Sequence, residues 1–260
     1  MKHRQGNTPW RWALAGALLG LTLSVVLFAP ARWLSSLVQR ASNGQVLLME
    51  ARGTVWTGSA RVTLTGGPGS SAVAMLPGRL GWVLAPAPGG VNVQLNAECC
   101  MQQAWSTRVQ PRWNGLQVKL SDAQSQWPAW LLAGLGTPWN TIQPQGELQL
   151  STQGLMLAWA AGRMVMTGTA QLDAMNLSSH LSTLRPMGSY RFSLTGGTPA
   201  TLALTTLQGS LQISGSGQWV GGQLRFNGEA SAAPDHQAAL SNLLNLIGRR
   251  NGARSIIKVG

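Results

Sequence analysis

Past residue 45 the chain alternates apolar and polar positions with a period of two. Val62/Leu64, Leu80/Trp82/Leu84, Val91/Val93/Leu95 and Leu116/Val118/Leu120 each place apolar side chains on one side of an extended segment. Leu148/Leu150, Leu155/Leu157/Trp159, Leu202/Leu204, Leu211/Ile213 and Leu224/Phe226 repeat the pattern, with Arg, Gln, Thr, Asn and Ser on the opposite faces. This period marks half-buried strands. The groups "GGPGS" (66–70), "APAPGG" (85–90) and "TGGTP" (195–199) lie between runs and form turns, because Gly accepts positive φ and Pro restricts it. The pattern predicts about a dozen antiparallel strands with one apolar and one polar face. The fold class is mainly β, an antiparallel, curved or groove-like sheet.

Two stretches break the alternation. "QWPAWLLAGLG" (126–136) reads as a short helix over about 128–135, with Pro128 suited to its first turn and Gly134 or Gly136 ending it. "PDHQAALSNLLNLIG" (234–248) predicts a helix over 235–248 whose stripe is Leu240, Leu243, Leu244 and Ile247. Asp235 is expected to cap it and Gly248 to stop it. Such a stripe usually covers an open end or edge of a sheet. "RSIIKV" (254–259) is expected to return as a last edge strand. The first helix divides the β-rich region, 46–260, into two expected lobes, 46–121 and 144–260.

A motif recurs within this pattern. "RGTVWTGSARVTL" (52–64) is echoed by "VMTGTAQL" (165–172) and more loosely by "GQWVGGQLRF" (217–226). Gly53 reads as a turn residue, Gly58 as a bulge or close approach, and Trp56 as packed on the apolar face. A phosphate loop would need a following Lys-Ser/Thr and a strand leading into a helix, and neither is present.

The N-terminus follows another pattern. From Trp12 to Ala31 there is no charge, about the length a helix needs to cross a bilayer. Residues 12–31 are therefore a predicted membrane anchor, built on Trp12, Leu14, Leu18, Leu19, Leu21, Leu23, Val25, Val26, Leu27 and Phe28. Lys2, Arg4 and Arg11 precede it without an acid, which keeps residues 1–11 cytoplasmic. Trp10, Trp12 and Trp33 lie at its ends, where indoles favour the interface. A cleaved signal peptide is the alternative, but the apolar run exceeds a signal's usual core. Either way the rest is exported. Residues 32–45 form a juxtamembrane linker with Trp33, Leu34, Leu37 and Val38 on one helical face, ending in the turn former Ser42-Asn43-Gly44.

Composition narrows the function classes. Charged residues are 10% of the chain, well below the roughly 25% usual in soluble domains. The net charge is +12, yet the basic residues are scattered arginines apart from Arg249, Arg250, Arg254 and Lys258. No basic helix or aromatic RNA-binding motif accompanies them, so nucleic acid is not an expected partner. Attraction to an anionic membrane surface is the better reading.

Chemistry is sparse. The seven acids are Glu50, Glu98, Asp122, Glu147, Asp173, Glu229 and Asp235, and the histidines are His3, His180 and His236. No G-x-S-x-G, H-E-x-x-H or close carboxylate pair occurs. An envelope hydrolase would have to use His180 or His236 with distant partners. Asn176-Leu177-Ser178 matches a glycosylation sequon and is read as coincidence. Cys99 and Cys100 are adjacent, so a disulfide between them is strained, and two free thiols or a bond to another chain stay open. With no histidine nearby they do not complete a zinc shell. No catalytic, cofactor or metal residue is expected.

In order and spacing the chain resembles the type II secretion system protein N family. The resemblance rests on the anchor, "GTVWTGSA" (53–60), "LGWVL" (80–84), "WPAWLL" (127–132), "QGELQLSTQGLMLAW" (145–159) and "AAPDHQAALSNLLNLIGRRNG" (232–252). It implies a non-enzymatic, single-span protein of the Gram-negative inner membrane with a periplasmic β-rich domain, and a relation to AsmA-like groove proteins. The implied role is assembly or stability of the apparatus, with the outer-membrane secretin and single-span inner-membrane platform proteins as partners. It carries over no catalytic residue and does not account for the cysteines. Trp56, Val62 and Leu64, with Leu240, Leu243, Leu244 and Ile247, are the candidate partner surface. A lipid-binding or lipid-transfer groove is the alternative function.

Overall fold

A computed structural model describes residues 10–160, 163–220 and 222–260. Residues 1–9, most of the expected cytoplasmic segment, lie outside the described residues. Helix α1 (Trp10–Leu27) carries the apolar run and buries none of its residues in the protein. At about 1.5 Å per residue it is roughly 27 Å long, close to a bilayer's hydrocarbon thickness. It stops short of the expected Ala31. Pro30 sits in extended backbone, and a second helix, α2 (Ala31–Ala41), starts after it. The turn at 42–44 follows, with Asn43 and Gly44 at positive φ.

Sixteen strands follow among the described residues, and strand makes up 56%. In the first half they are β1 (Val46–Gly53), β2 (Thr57–Thr65), β3 (Val73–Met75), β4 (Leu80–Ala87), β5 (Gly90–Ala97), β6 (Trp105–Arg112), β7 (Gly115–Leu120) and β8 (Ala123–Pro128). A 3-10 helix (Ala129–Leu135) and a short α3 (Trp139–Ile142) intervene. Then come β9 (Gln145–Ala160), β10 (Arg163–Ser178), β11 (Gly188–Gly197), β12 (Thr201–Gly209), β13 (Leu211–Val220) and β14 (Gln223–Ala232). Helix α4 (Gln237–Ile247), β15 (Arg249–Asn251) and β16 (Arg254–Val259) end the chain. The expected dozen undercounts because β3 and β15 have three residues each, too few to display an alternation.

All the strands belong to one antiparallel sheet, ordered β1-β2-β4-β5-β6-β7-β9-β10-β11-β12-β13-β14-β16-β15. At about 4.8 Å per strand the path is roughly 60 Å wide. Strand β9 is long enough to take two partners on one side, β7 beside Met156–Ala160 and β8 beside Glu147–Thr152. The segment between the two expected lobes therefore does not interrupt the sheet; β7 and β9 pair across it.

The alternation sorts the faces. Phe192 pairs with Leu172 on one side and Leu204 on the other, and all three join the largest apolar cluster. One pleat further, Gln124, Ser151, Gln171, Ser193, Ala203, Ser216, Asn227 and Lys258 form a cross-strand row from β8 to β16. Cross-strand partners share a face, so this row is the polar side. In the "GSG" of β13, Gly215 leaves room for the Phe226 ring, which a Cβ there would strike, and Gly217 lies against the Phe226 backbone and Cβ. These glycines serve packing.

Helix α4 closes the apolar face of the C-terminal half. Leu240, Leu243 and Leu244 are 0–3% exposed and pack with Leu211, Phe226 and Ala230. Ser255, fully buried in β16, donates its hydroxyl to the carbonyl of Leu244 and ties the helix to the sheet. The cap differs from expectation. Asp235 lies inside a 3-10 turn (Pro234–His236), and no side chain caps α4. Gly248 follows the helix in extended backbone and not in the left-handed form, because the chain leaves directly into β15.

Candidate functional site

Three regions offer usable surface, and the first is where the anchor meets the sheet. The turn between β1 and β2 is held under the end of α1. Val55 N–H donates to Ala29 O at 2.8 Å, and Trp56 Nε1 donates to Val26 O at 2.8 Å. Val26 is among the last four residues of α1, whose carbonyls have no partner within the helix. The indole satisfies one of them. Trp82, 3% exposed, braces the turn by donating Nε1 to Thr54 O (3.2 Å) and Val55 O (3.1 Å). Gly53 has φ +86°, and a Cβ on Gly58 would lie 2.6 Å from the Trp82 ring. The spacing of "GTVWTG" thus follows from one left-handed turn residue, one indole donor and one close ring approach. Trp56 sits half-buried in the turn, not on the apolar face of a strand as expected.

The second region is the polar face around β8–β10. A groove of about 330 Å³ is lined by Gln102, Gln124, Gln126, Gln149, Gln171 and Asp173, with the Cys99–Cys100 pair at its side. The two sulfurs are bonded to each other. Cys100 is 5% exposed and packs with Ala97 and Leu131, and its carbonyl accepts from Gln126 N–H at 2.8 Å. Asp173 receives both Arg191 Nε and a terminal guanidinium nitrogen at 2.7 Å. That hydrogen-bonded guanidinium holds the carboxyl below its ordinary pKa against the opposing effect of burial, and Asp173 raises Arg191 in turn. The groove's Asp173 is thereby a fixed, neutralised anion. His180 is exposed, 3.3 Å from the Gln145 amide, and His236 lies at the foot of α4. Tyr190 is buried, which pushes its pKa up, and its hydroxyl donates to Leu211 O. Among the described residues no three His, Cys, Asp or Glu side chains come together as a metal site.

The third region is the C-terminal sheet edge. Strand β15 covers only Arg254–Ile256 of β16, so among the described residues Ile257–Val259 have no strand partner on that side. Lys258 is exposed there, as are Arg249 and Arg250 on β15.

The other sequence-marked positions distribute differently. Val62 and Leu64 are half-buried against Leu76 and Leu131 beneath the 3-10 helix. Leu240, Leu243 and Leu244 are core residues, and Ile247 packs partly buried beside them. They hold up a surface without forming it. The expected edge strand 254–259 forms as β16, with the short β15 outside part of it, whereas the glutamine groove has no local sequence signal because cross-strand rows depend on contacts far apart in sequence.

Fold and surfaces together define a helix-tethered antiparallel β scaffold. The chain belongs to the type II secretion system protein N family, whose family model matches residues 44–257. That family is a structural component of the secretion system. No curated protein and no solved structure is similar enough to count as a match.

Proposed function

We propose that the chain is a non-enzymatic part of the secretion apparatus, held in the inner membrane by α1 with its sheet in the periplasm. Its role is to assemble or stabilise the machinery that carries folded proteins across the outer membrane. The observation that carries this reading is the unpaired side of β16 at the end of a continuous sheet. An open strand edge accepts a partner's strand through main-chain hydrogen bonds. The exposed Arg249, Arg250 and Lys258 favour a strand with acidic flanks. The outer-membrane secretin and the single-span platform proteins are the partner class.

Affinity purification of the tagged full chain from detergent extracts tests this. The secretin or a platform protein is expected to co-purify, and deletion is expected to impair secretion. Normal secretion in a deletion strain, with no secretion component recovered, would overturn it.

A second reading has its own observation. A largely apolar cavity of about 730 Å³ is lined by Ala160, Met164, Met166, Pro199, Ala200 and Trp219, and it is large enough for part of an acyl chain. This supports an AsmA-like lipid-binding or lipid-transfer role. Native mass spectrometry showing phospholipid or lipopolysaccharide retained by the purified protein would favour it.

A further inference from the structure

The strand registers place six connections at one end of the sheet. The β1–β2 turn lies level with Val83 through the Thr57–Val83 pair. The Ala87–Gly90, Arg112–Gly115, Ala160–Arg163, Thr195–Thr201 and Val220–Gln223 pairs close the other hairpins at that same end. This rim is the one bonded to α1 through Trp56 and Val55.

Its chemistry differs from that of the opposite rim. Trp113 is 106% exposed at the β6–β7 turn, and Leu116, Trp159, Met164, Val165 and Val220 are exposed close to the turns. Around five of the six connections, segments 83–93, 108–117, 156–166, 195–201 and 218–225 contain Arg108, Arg112, Arg163 and Arg225 and no Asp or Glu; before the sixth, the β1–β2 turn, stand Arg52 and Glu50, the latter paired with Arg61. The opposite end has exposed apolar side chains too, such as Val73 and Trp130, but it carries both signs of charge: Glu98, Asp122, Glu147 and Asp235 lie in or beside its connections together with Arg79, Arg185, Arg249 and Arg250. Indoles and aliphatic side chains at water-exposed hairpin tips, with arginines as the only charged residues across five of them, match the headgroup layer of an anionic bilayer. The occupant is named by continuity: the membrane that holds α1 begins where Trp56 meets Val26.

We propose that the anchor-side rim rests in the near leaflet of the membrane, with Trp113 entering the interface and Arg108, Arg112 and Arg225 meeting anionic headgroups. The sheet then stands on its hairpin tips and points its opposite rim, where the acids lie, away from the membrane. This inference rests on α1 lying in a bilayer and does not depend on the secretion role.

The test uses the full chain reconstituted in vesicles of phosphatidylethanolamine with phosphatidylglycerol. Cys99 and Cys100 are bonded to each other, so an introduced cysteine is a unique site for an environment-sensitive fluorophore. Labels at Asn114→Cys and Met164→Cys are expected to be quenched several-fold more by lipid-borne quenchers than a label at Thr183→Cys in the opposite rim. A label at Leu18→Cys reports α1 alone. Combining Trp113→Ala with Arg112→Gln is expected to reduce quenching at position 164 and leave position 18 unchanged; Trp113 is fully exposed, so the fold is not at stake. Labels at 114 and 164 that behave like the label at 183 overturn the proposal. If position 18 is still quenched, the rim alone is refuted and the anchor stands; if it is not, both fall.

Discussion

Trp56 shows what a single side chain decides in this molecule. Its indole N–H reaches Val26 O at the end of α1, so one residue of a β-turn finishes a helix thirty positions earlier. Trp56→Phe keeps the ring and removes the donor. The expected cost is about 0.5–1.5 kcal/mol, read as faster hydrogen exchange at residues 27–31 with the sheet unchanged. The sequence shows the tryptophan and its flanking glycines but not the carbonyl it seeks, because the contact joins two elements of different period. Asp173 carries a second residue-scale prediction. Its pKa is depressed by Arg191, so the stability it contributes is present above its unfolded pKa of about 4 and fades as pH falls through the folded value. Arg191→Gln should therefore melt at a lower temperature than the parent near neutral pH. The gap should close below about pH 4, which thermal unfolding of the detergent-solubilised chain across pH will show.

Among the elements, α4 and the recurrent motif test the reading of pattern most sharply. The leucine stripe of α4 is legible as an amphipathic helix, and burial of Leu240, Leu243 and Leu244 gives that stripe its partner, the apolar face of β13 and β14. Leu244→Ala should cost about 2–5 kcal/mol, whereas Leu246→Ala, on the exposed side, should stay within about 0.5 kcal/mol. Comparing the two melting temperatures checks this. The three echoes of the Gly-rich motif prove to be three different things. One is the anchored turn at 53–58, one is a bulge within β10 at Gly168, and one belongs to the β13–β14 hairpin. Composition repeats because Gly, Thr and Trp suit any tight place in a sheet. Pairing does not repeat, and pairing is what residue type fails to encode locally. The same limit explains the cysteines, whose adjacency alone left bonded and free forms open.

At the scale of the whole molecule, the class of fold is readable because alternation survives over some two hundred residues. The apolar helix is readable because no charge follows Arg11 in it. Strand order is not, since the fork at β9, with β7 and β8 sharing one side, depends on where long strands end. The candidate surface read from apolar stripes is accordingly mostly interior, and the free surfaces among the described residues include the edge of β16, the outer side of β1, the glutamine groove and the anchor-side rim. Membership of the secretion family turns these surfaces into places where a multi-component machine can be gripped. The most direct measurement places a photo-crosslinking amino acid at Ile257 or Lys258 in cells that assemble the apparatus, with Thr183 as the control position. The account predicts adducts to a secretin or platform component from the β16 edge and none from Thr183. Equal labelling at all three positions, or no adduct at the edge while secretion proceeds, would contradict it.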